Sequence, residues 1–280
     1  MKHGIIAHGG VGSPAEAADG CIAAAAKGME ALEAGGSALD AVVEAVVLLE
    51  DMPRYNAGTG SRPRLNGICE MDAAVMTSDG GIGCVAMLRW VRNPILVARR
   101  VMEETPHVIL AGDGALRFAR DQGFGYHDPM TPHRLERLER LKTRLREEGS
   151  PFLRYASGGP GDTVGAVAMD SAGLFAAANS TGGVELMLPG RVGDSPVPGA
   201  GFFAGPAGAV ATTGTGEEII RRMSAVRVYD AIAAGADPGE ACRRETAGYP
   251  EGVFFGIIAI TSDGPVRADN RTMPVGVSVV

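Results

Sequence analysis

Apolar runs in this chain come in pairs joined by short turns, and that pairing limits the available folds more than any other feature. Residues 67–88, "GICEMDAAVMTSDGGIGCVAML", read as two strands around an Asp-Gly turn. "TVGAVAMD", "SAG" and "LFAAANS" (163–180) form a second hairpin, and "GVFFGIIAIT" with "GPVRADN" (252–270) a third. Hairpin-joined strands lie antiparallel, so the chain is not a doubly wound parallel sheet. The rest is mostly helical and also clustered. Residues 13–36 read as a helix capped by Ser13, with Pro14 in its first turn and Gly35-Gly36 stopping it. Ser37 and Asp40 open a second, capping-box helix over 37–51 whose apolar positions go most of the way round, so it is buried. Residues 93–124 alternate helix, strand and helix, and 216–235 read as one helix with Glu217 and Glu218 at its positive end. The pattern predicts an α+β fold, antiparallel sheets covered by helices.

One helix invites a different reading. In residues 131–147, Leu135, Leu138, Leu141 and Leu145 recur at helical spacing among arginines. Glutamates interleave those arginines, as in the Glu136–Arg140 pair, which makes a solvated amphipathic helix and not a nucleic-acid arm. The net charge of −7 also argues against nucleic acid as a partner. No stretch approaches the roughly 18 apolar residues of a membrane span. The opening "MKHGIIAHGG" has too short an apolar run for a signal peptide, so a cytoplasmic location is expected. Cys21, Cys69, Cys84 and Cys242 are scattered, which fits reduced core thiols and neither disulfides nor a metal site.

The chemistry is narrowed by what is missing. There is no phosphate loop, no dinucleotide fingerprint, no G-x-S-x-G elbow and no histidine spacing for a metal. His8 and His107 lie within or beside apolar strands and read as structural. "TTGTGEE" (212–218) opens a helix and could bind an anion, a weak signal alone. Hydroxyls, carboxylates and glycines remain. In "GGPGDTVGAVAMD" (158–170) a loose Gly-Pro loop runs into a buried strand, with Asp162-Thr163 at the junction. An isolated Asp-Thr there would be an ordinary turn and strand start. A threonine hydroxyl becomes a nucleophile, however, when its own α-amine takes the proton. That amine, with a pKa of about 7.7–8.0, exists only if the chain is cut before the threonine.

The run "GDTVGAVAMDSAGLFAAANSTGGVELMLPGRVGDSPVPGAG" closely resembles the threonine-nucleophile asparaginases, also called plant-type asparaginases or isoaspartyl peptidases. So do "HGGVGSP", "LEDMPRYNAGTGS", "RNPILVARRVMEETPHVILAGDGA" and "TTGTGEE", in family order along nearly the whole chain. The resemblance implies one domain over 1–280 with the four-layer αββα sandwich of the N-terminal nucleophile hydrolases. It implies autocleavage of the Asp162–Thr163 bond into 1–162 and 163–280, with Thr163 as the nucleophile. Thr181 of "NSTGG" would hydrogen-bond the Thr163 hydroxyl. Arg191 and Asp194 of "GRVGDSP" would hold the substrate's α-carboxylate and α-ammonium. Thr213 and Gly214 would form the oxyanion hole, Gly216 would line the same pocket, and Asn56 of "YNAGTG" would approach it. Backbone carbonyls of Leu49, Glu50, Met52, Tyr55, Ala57 and Thr59 resemble the family's structural sodium loop. No catalytic cofactor is implied, and two processed units would pair as a homodimer.

Each role suits its residue. Arg offers a planar fork to a carboxylate, and Asp is an acceptor for ammonium. Two donors aimed at the developing oxyanion contribute about 3–4 kcal/mol each. Taken singly the segments are ordinary: a surface ion pair, two glycine turns, a strand-end threonine. One chemical scheme uses them all. Three departures stand out: Gly161 where the family has His, Thr215 where the family often has His, and a longer "VMTSDGG" turn. The expected substrates are L-asparagine or β-aspartyl dipeptides. A glycosylasparaginase, and an unprocessed relative that only binds an amino acid, remain open alternatives.

Overall fold

The computed structural model describes residues 2–147 and 163–280. Strand β1 (Gly4–His8) lies between β5 (Val164–Met169) and β11 (Val275–Val279), antiparallel to both. With β6 (Phe175–Thr181), β2 (Met71–Thr77), β3 (Ile82–Leu88) and β4 (Ile109–Ala111) they build a seven-stranded sheet in the order β11-β1-β5-β6-β2-β3-β4. Strands β7 (Phe202–Gly205), β8 (Gly208–Gly214), β9 (Phe255–Thr261) and β10 (Gly264–Asp269) make a four-stranded sheet, order β10-β9-β8-β7. All three expected hairpins form: β2–β3, β5–β6 and β9–β10 pair antiparallel. Among the described strands β3 and β4 pair in parallel, connected through helix α3 (Pro94–Glu104). The molecule is thus an α+β protein, as its hairpins required.

Strand alternation sorts the side chains into separate cores. On β5, Val164, Ala166 and Ala168 face helices α1 (Ala18–Glu33), α2 (Ala38–Glu50) and α3, while Val167 and Met169 face the second sheet. On β6 the same division puts Ala176 and Ala178 against the helices and Phe175 and Ala177 between the sheets. A third core joins the far face of the small sheet to helices α6 (Gly216–Arg222), α7 (Ser224–Ala233) and α8 (Pro238–Ala247). Close approach depends on glycine at two places. A Cβ at Gly28 would lie 2.4 Å from Ile5 Cδ1, and one at Gly276 would lie 2.1 Å from the Cys21 carbonyl. Helix α1 can therefore press directly on β1 and β11.

The Ser37–Asp40 capping box is present, with Ser37 Oγ accepting from the Asp40 N–H and Asp40 Oδ2 from the Ser37 N–H. Four local expectations need correction. Ser13 caps no helix: its hydroxyl donates to the Gly9 carbonyl, and a 3-10 turn (Ala15–Ala17) leads into α1. Residues 216–235 are two helices, because Met223 adopts a left-handed φ of 55° and re-aims the chain. The first N–H groups of α7 then reach loop carbonyls, Ala225 to Ala200 and Val226 to Gly199, which a continuous helix could not do. In α5 (Pro132–Glu147) Leu138 is buried, but Leu135 stands exposed; Arg134 is buried in its stead, donating to the Gly60 carbonyl. His107 is exposed, outside any core. The four cysteines are free and buried. Among the described residues no helix is long and apolar enough to cross a membrane.

Candidate active site

The β5–β6 register pairs Val164 with Ser180, which sets Thr163 across from Thr181. Period-two alternation then turns Thr163 and Thr181 toward the space between the sheets, and Ser180 toward the helices. Ser180 confirms this by donating to Glu50 Oε1 of α2 at 2.6 Å. Strand β8 ends at the same place with Thr213 and Gly214. Thr163, Thr181, Arg191, Asp194 and Gly214 line one small cleft, together with Gly183, Val184, Gly193 and Ser195. Asp162 and Gly161 lie outside the described residues.

Thr163 is buried, and its hydroxyl lies 3.4 Å from Ser195 Oγ. Thr181 Oγ1 accepts from the Gly183 N–H at 3.0 Å. In this intact chain, then, the neighbour of the Thr163 hydroxyl is Ser195, a residue the sequence reading passed over although it follows Asp194 directly. Thr213 Oγ1 accepts from the Val11 N–H at 3.4 Å. Asn56 sits one layer behind the cleft: its Nδ2 donates to the Gly183 carbonyl (2.6 Å), its Oδ1 accepts from Arg62, and its carbonyl accepts from Gly182. It braces the turn that follows Thr181. Gly216 is in contact with the charged pair, since a Cβ there would fall 2.8 Å from both Arg191 Nη2 and Asp194 Oδ1.

Arg191 makes a two-pronged pair with Glu217, Nε and Nη2 each 2.9 Å from a carboxylate oxygen. Glu217 is the second functional neighbour missed from sequence, where it reads only as a helix-opening glutamate. Asp194 is buried; burial raises its carboxyl to about 7, against the opposing pull of Arg191. His8 is structural as expected. Burial lowers its imidazole to about 3, and Nδ1 accepts from the Gly10 N–H. Glu50 is raised by burial to about 8, with Ser180 and the Ile95 N–H on Oε1.

The loop after α2 also folds compactly. Carbonyls of Leu49, Glu50 and Met52 accept from the N–H groups of Met52, Thr59 and Tyr55 at 3.2, 2.8 and 3.1 Å. Those of Glu50 and Met52 keep a second lone pair, while that of Leu49 also accepts from the Asp51 N–H; carbonyl oxygens are the donors a hard monovalent or divalent cation takes. Among the described residues no group of three or more His, Cys, Asp or Glu could hold a metal.

A hydroxyl, a cation–carboxylate pair and a strand-end glycine thus meet in one cleft of this α+β protein. Comparison with known proteins gives the family. A family profile described as "Asparaginase" matches residues 1–277. The plant-type L-asparaginase of Pyrococcus furiosus is 43% identical over 251 residues, covering 85% of this chain and 81% of that protein. The isoaspartyl peptidase of Escherichia coli K12 is 46% identical over 262 residues, 88% of this chain and 79% of that protein. The N(4)-(Beta-N-acetylglucosaminyl)-L-asparaginase of Elizabethkingia miricola is 42% identical over 215 residues, 76% and 62% of the two chains. The chain belongs to the asparaginase family.

Proposed function

We propose that this protein is an autoprocessing amidohydrolase of the N-terminal nucleophile type, its layers forming the αββα sandwich of that class. It acts on L-asparagine and β-aspartyl dipeptides. The observation that carries the reading is the convergence of Thr163 with Arg191, Asp194 and Gly214 in one cleft. Cleavage before Thr163 frees its α-amine. The amine takes the hydroxyl proton as Oγ1 adds to the substrate's side-chain carbonyl carbon. Thr213 and Gly214 stabilise the oxyanion, and Arg191 and Asp194 hold the α-carboxylate and α-ammonium. The amine leaving group departs with the proton, and water then hydrolyses the aspartyl ester to release aspartate. Carbonyls of Leu49, Glu50, Met52, Tyr55, Ala57 and Thr59 would hold a sodium ion. Bound there it supplies no chemistry to the reaction and fixes the loop that carries Asn56.

The test is turnover of asparagine, a β-aspartyl dipeptide and glycosylated asparagine side by side. The glycine pair of "STGG" does not bear on rank. A Cβ at Gly182 would point into Asn56 and Ser61, and one at Gly183 into Arg64, so neither faces a leaving group. Beyond the nucleophile and the charged pair the cleft offers the short hydroxyls of Thr181 and Ser195, Val184 and glycine backbone. Those two hydroxyls are too few to replace the water around a sugar. Asparagine and the dipeptide are therefore expected to be cleaved, the glycosylated substrate poorly. A kcat/KM favouring the glycosylated substrate would promote the glycosylasparaginase alternative.

The raised Asp194 carboxyl sets a pH dependence. With a value near 7, Asp194 is largely protonated in the unliganded protein at lower pH and must lose that proton before it holds an ammonium. Substrate affinity should rise, and KM fall, as pH climbs from about 6 to about 8. Asp194→Asn should abolish that slope as well as weaken binding. A wild-type KM flat across the range would show that Asp194 does not meet the ammonium.

A further inference from the structure

We propose that Arg64, Glu70 and Asp72 are positioning residues that hold the 190–193 backbone, and through it the Arg191/Asp194 clamp, in its substrate-receiving geometry. None of the three lines the cleft. Arg64 is fully buried and Glu70 and Asp72 nearly or completely so. Arg64 Nε lies 3.5 Å from Glu70 Oε2. Their remaining bonds fall on either side of Arg191. Glu70 Oε2 accepts from the Gly190 N–H at 2.8 Å, and Arg64 Nη2 donates to the Arg191 carbonyl at 3.1 Å. The residue that presents its guanidinium to the cleft is thus gripped at the N–H of the residue before it and at its own carbonyl. Asp72, opposite Thr181 in the β2–β6 register, accepts from the Met87 N–H at 2.8 Å. Burial raises its carboxyl above the usual range, against the opposing pull of the Arg64 guanidinium, the Met87 N–H, the Arg191 guanidinium and the Gly193 N–H. The β2–β3 register shifts between Met71 and Ala73, which breaks regular pairing at Asp72.

Packing alone does not account for Arg64. Burying a guanidinium is costly unless its donors are matched, and an apolar side chain of similar volume commonly serves a core as well or better. Arg64 Nη1 has no hydrogen-bond partner and abuts Gly183, whose Cβ would fall 2.2 Å away. What an apolar residue cannot do is bond the Glu70 and Arg191 carbonyls together, as Nη2 does at 2.9 and 3.1 Å. The trio therefore ties the start of β2 to the clamp loop.

This inference rests on the clamp reading proposed above. Arg64→Met, Arg64→Lys and Glu70→Gln would be compared with wild type in steady-state kinetics on asparagine and a β-aspartyl dipeptide, with folding checked by circular dichroism and urea midpoint. Loss of a head-group orientation shared by ground and transition states appears in KM, so Arg64→Met and Glu70→Gln should raise KM at least about fivefold with kcat within about threefold. Arg64→Lys should recover part of the loss. A smaller rise in KM in a folded variant, or a loss confined to kcat, overturns the proposal. Glu70→Gln, isosteric, keeps the test alive if Arg64→Met does not fold. A wild-type protein that hydrolyses neither substrate yet binds L-aspartate in calorimetry would sink the hydrolase reading alone. The same variants should then weaken aspartate binding by the same factor. No aspartate binding by wild type overturns both.

Discussion

Thr163→Ala is expected to abolish chain cleavage and substrate turnover together. In the proposed mechanism one hydroxyl serves both reactions: it attacks the preceding carbonyl, forming an ester that frees the α-amine and that water hydrolyses, and then attacks the substrate. Wild-type protein should resolve on a denaturing gel into pieces of 162 and 118 residues (280 − 162 = 118), and the alanine variant should stay whole. Activity should drop on the order of 10⁴-fold or more, since a missing nucleophile is not replaced by its neighbours. Thr163→Ser keeps a hydroxyl and should retain some of each reaction. The two pieces should remain associated in wild type under native conditions. Strand β5 begins just after the cut and pairs with β1 on the other side of it, so the fragments share one sheet. A chain that stays whole yet hydrolyses asparagine would sink the free-amine mechanism. Full activity in the alanine variant would move the nucleophile to another hydroxyl, and Ser195 and Thr181 are the two at hand.

Arg191→Ala should cost about 2–5 kcal/mol in kcat/KM, the range for removing one partner of a buried, hydrogen-bonded charge pair. Two effects combine. The substrate's α-carboxylate loses its bidentate donor. Asp194, buried and already raised to about 7, also loses the guanidinium that holds it down. It would then be neutral at physiological pH and a poor partner for the ammonium. Arg191→Lys keeps a charge near Asp194 but not the planar fork, so it should fall between the two. Chain cleavage should continue in both variants, because the clamp grips substrate and not the scissile peptide. Unchanged KM and kcat in Arg191→Ala would reduce Arg191 to the partner of Glu217.

The fold class was readable because hairpin turns and strand alternation are local. An Asp-Gly turn between apolar runs makes its own antiparallel pair wherever it sits, and the capping box of α2 is closed by residues three apart. Local signals failed where a distant contact decided the conformation. Nothing in "RRMSAV" marks Met223 as a left-handed break, since the cause is two carbonyls of the 199–200 loop that capture the N-terminus of α7. Ser13 is a good cap by type, yet its hydroxyl is taken by Gly9. Leu135 follows the helical stripe but finds no surface to cover.

The site divides in the same way. The residue types and their order along the chain, read with the family resemblance, picked out Thr163, Thr181, Arg191, Asp194 and Gly214, because chemistry demands those functional groups whatever the coordinates. Their supporting cast was invisible. Ser195, Glu217, Arg64 and Glu70 are common polar residues whose meaning comes from what lies opposite them, and the Arg64 contacts to Arg191 span 127 positions of sequence. Nothing in "STGG" says what its glycines pack against, and in the folded chain it is Asn56 and Ser61 at Gly182 and Arg64 at Gly183. By itself the sequence determined the sheet-forming hairpins and the chemical inventory, since turn geometry and functional groups are properties of a few adjacent atoms. Only the tertiary structure decided which groups meet, which way each loop faces and how far burial moves Asp194, because those depend on low-dielectric contacts between segments the chain keeps far apart.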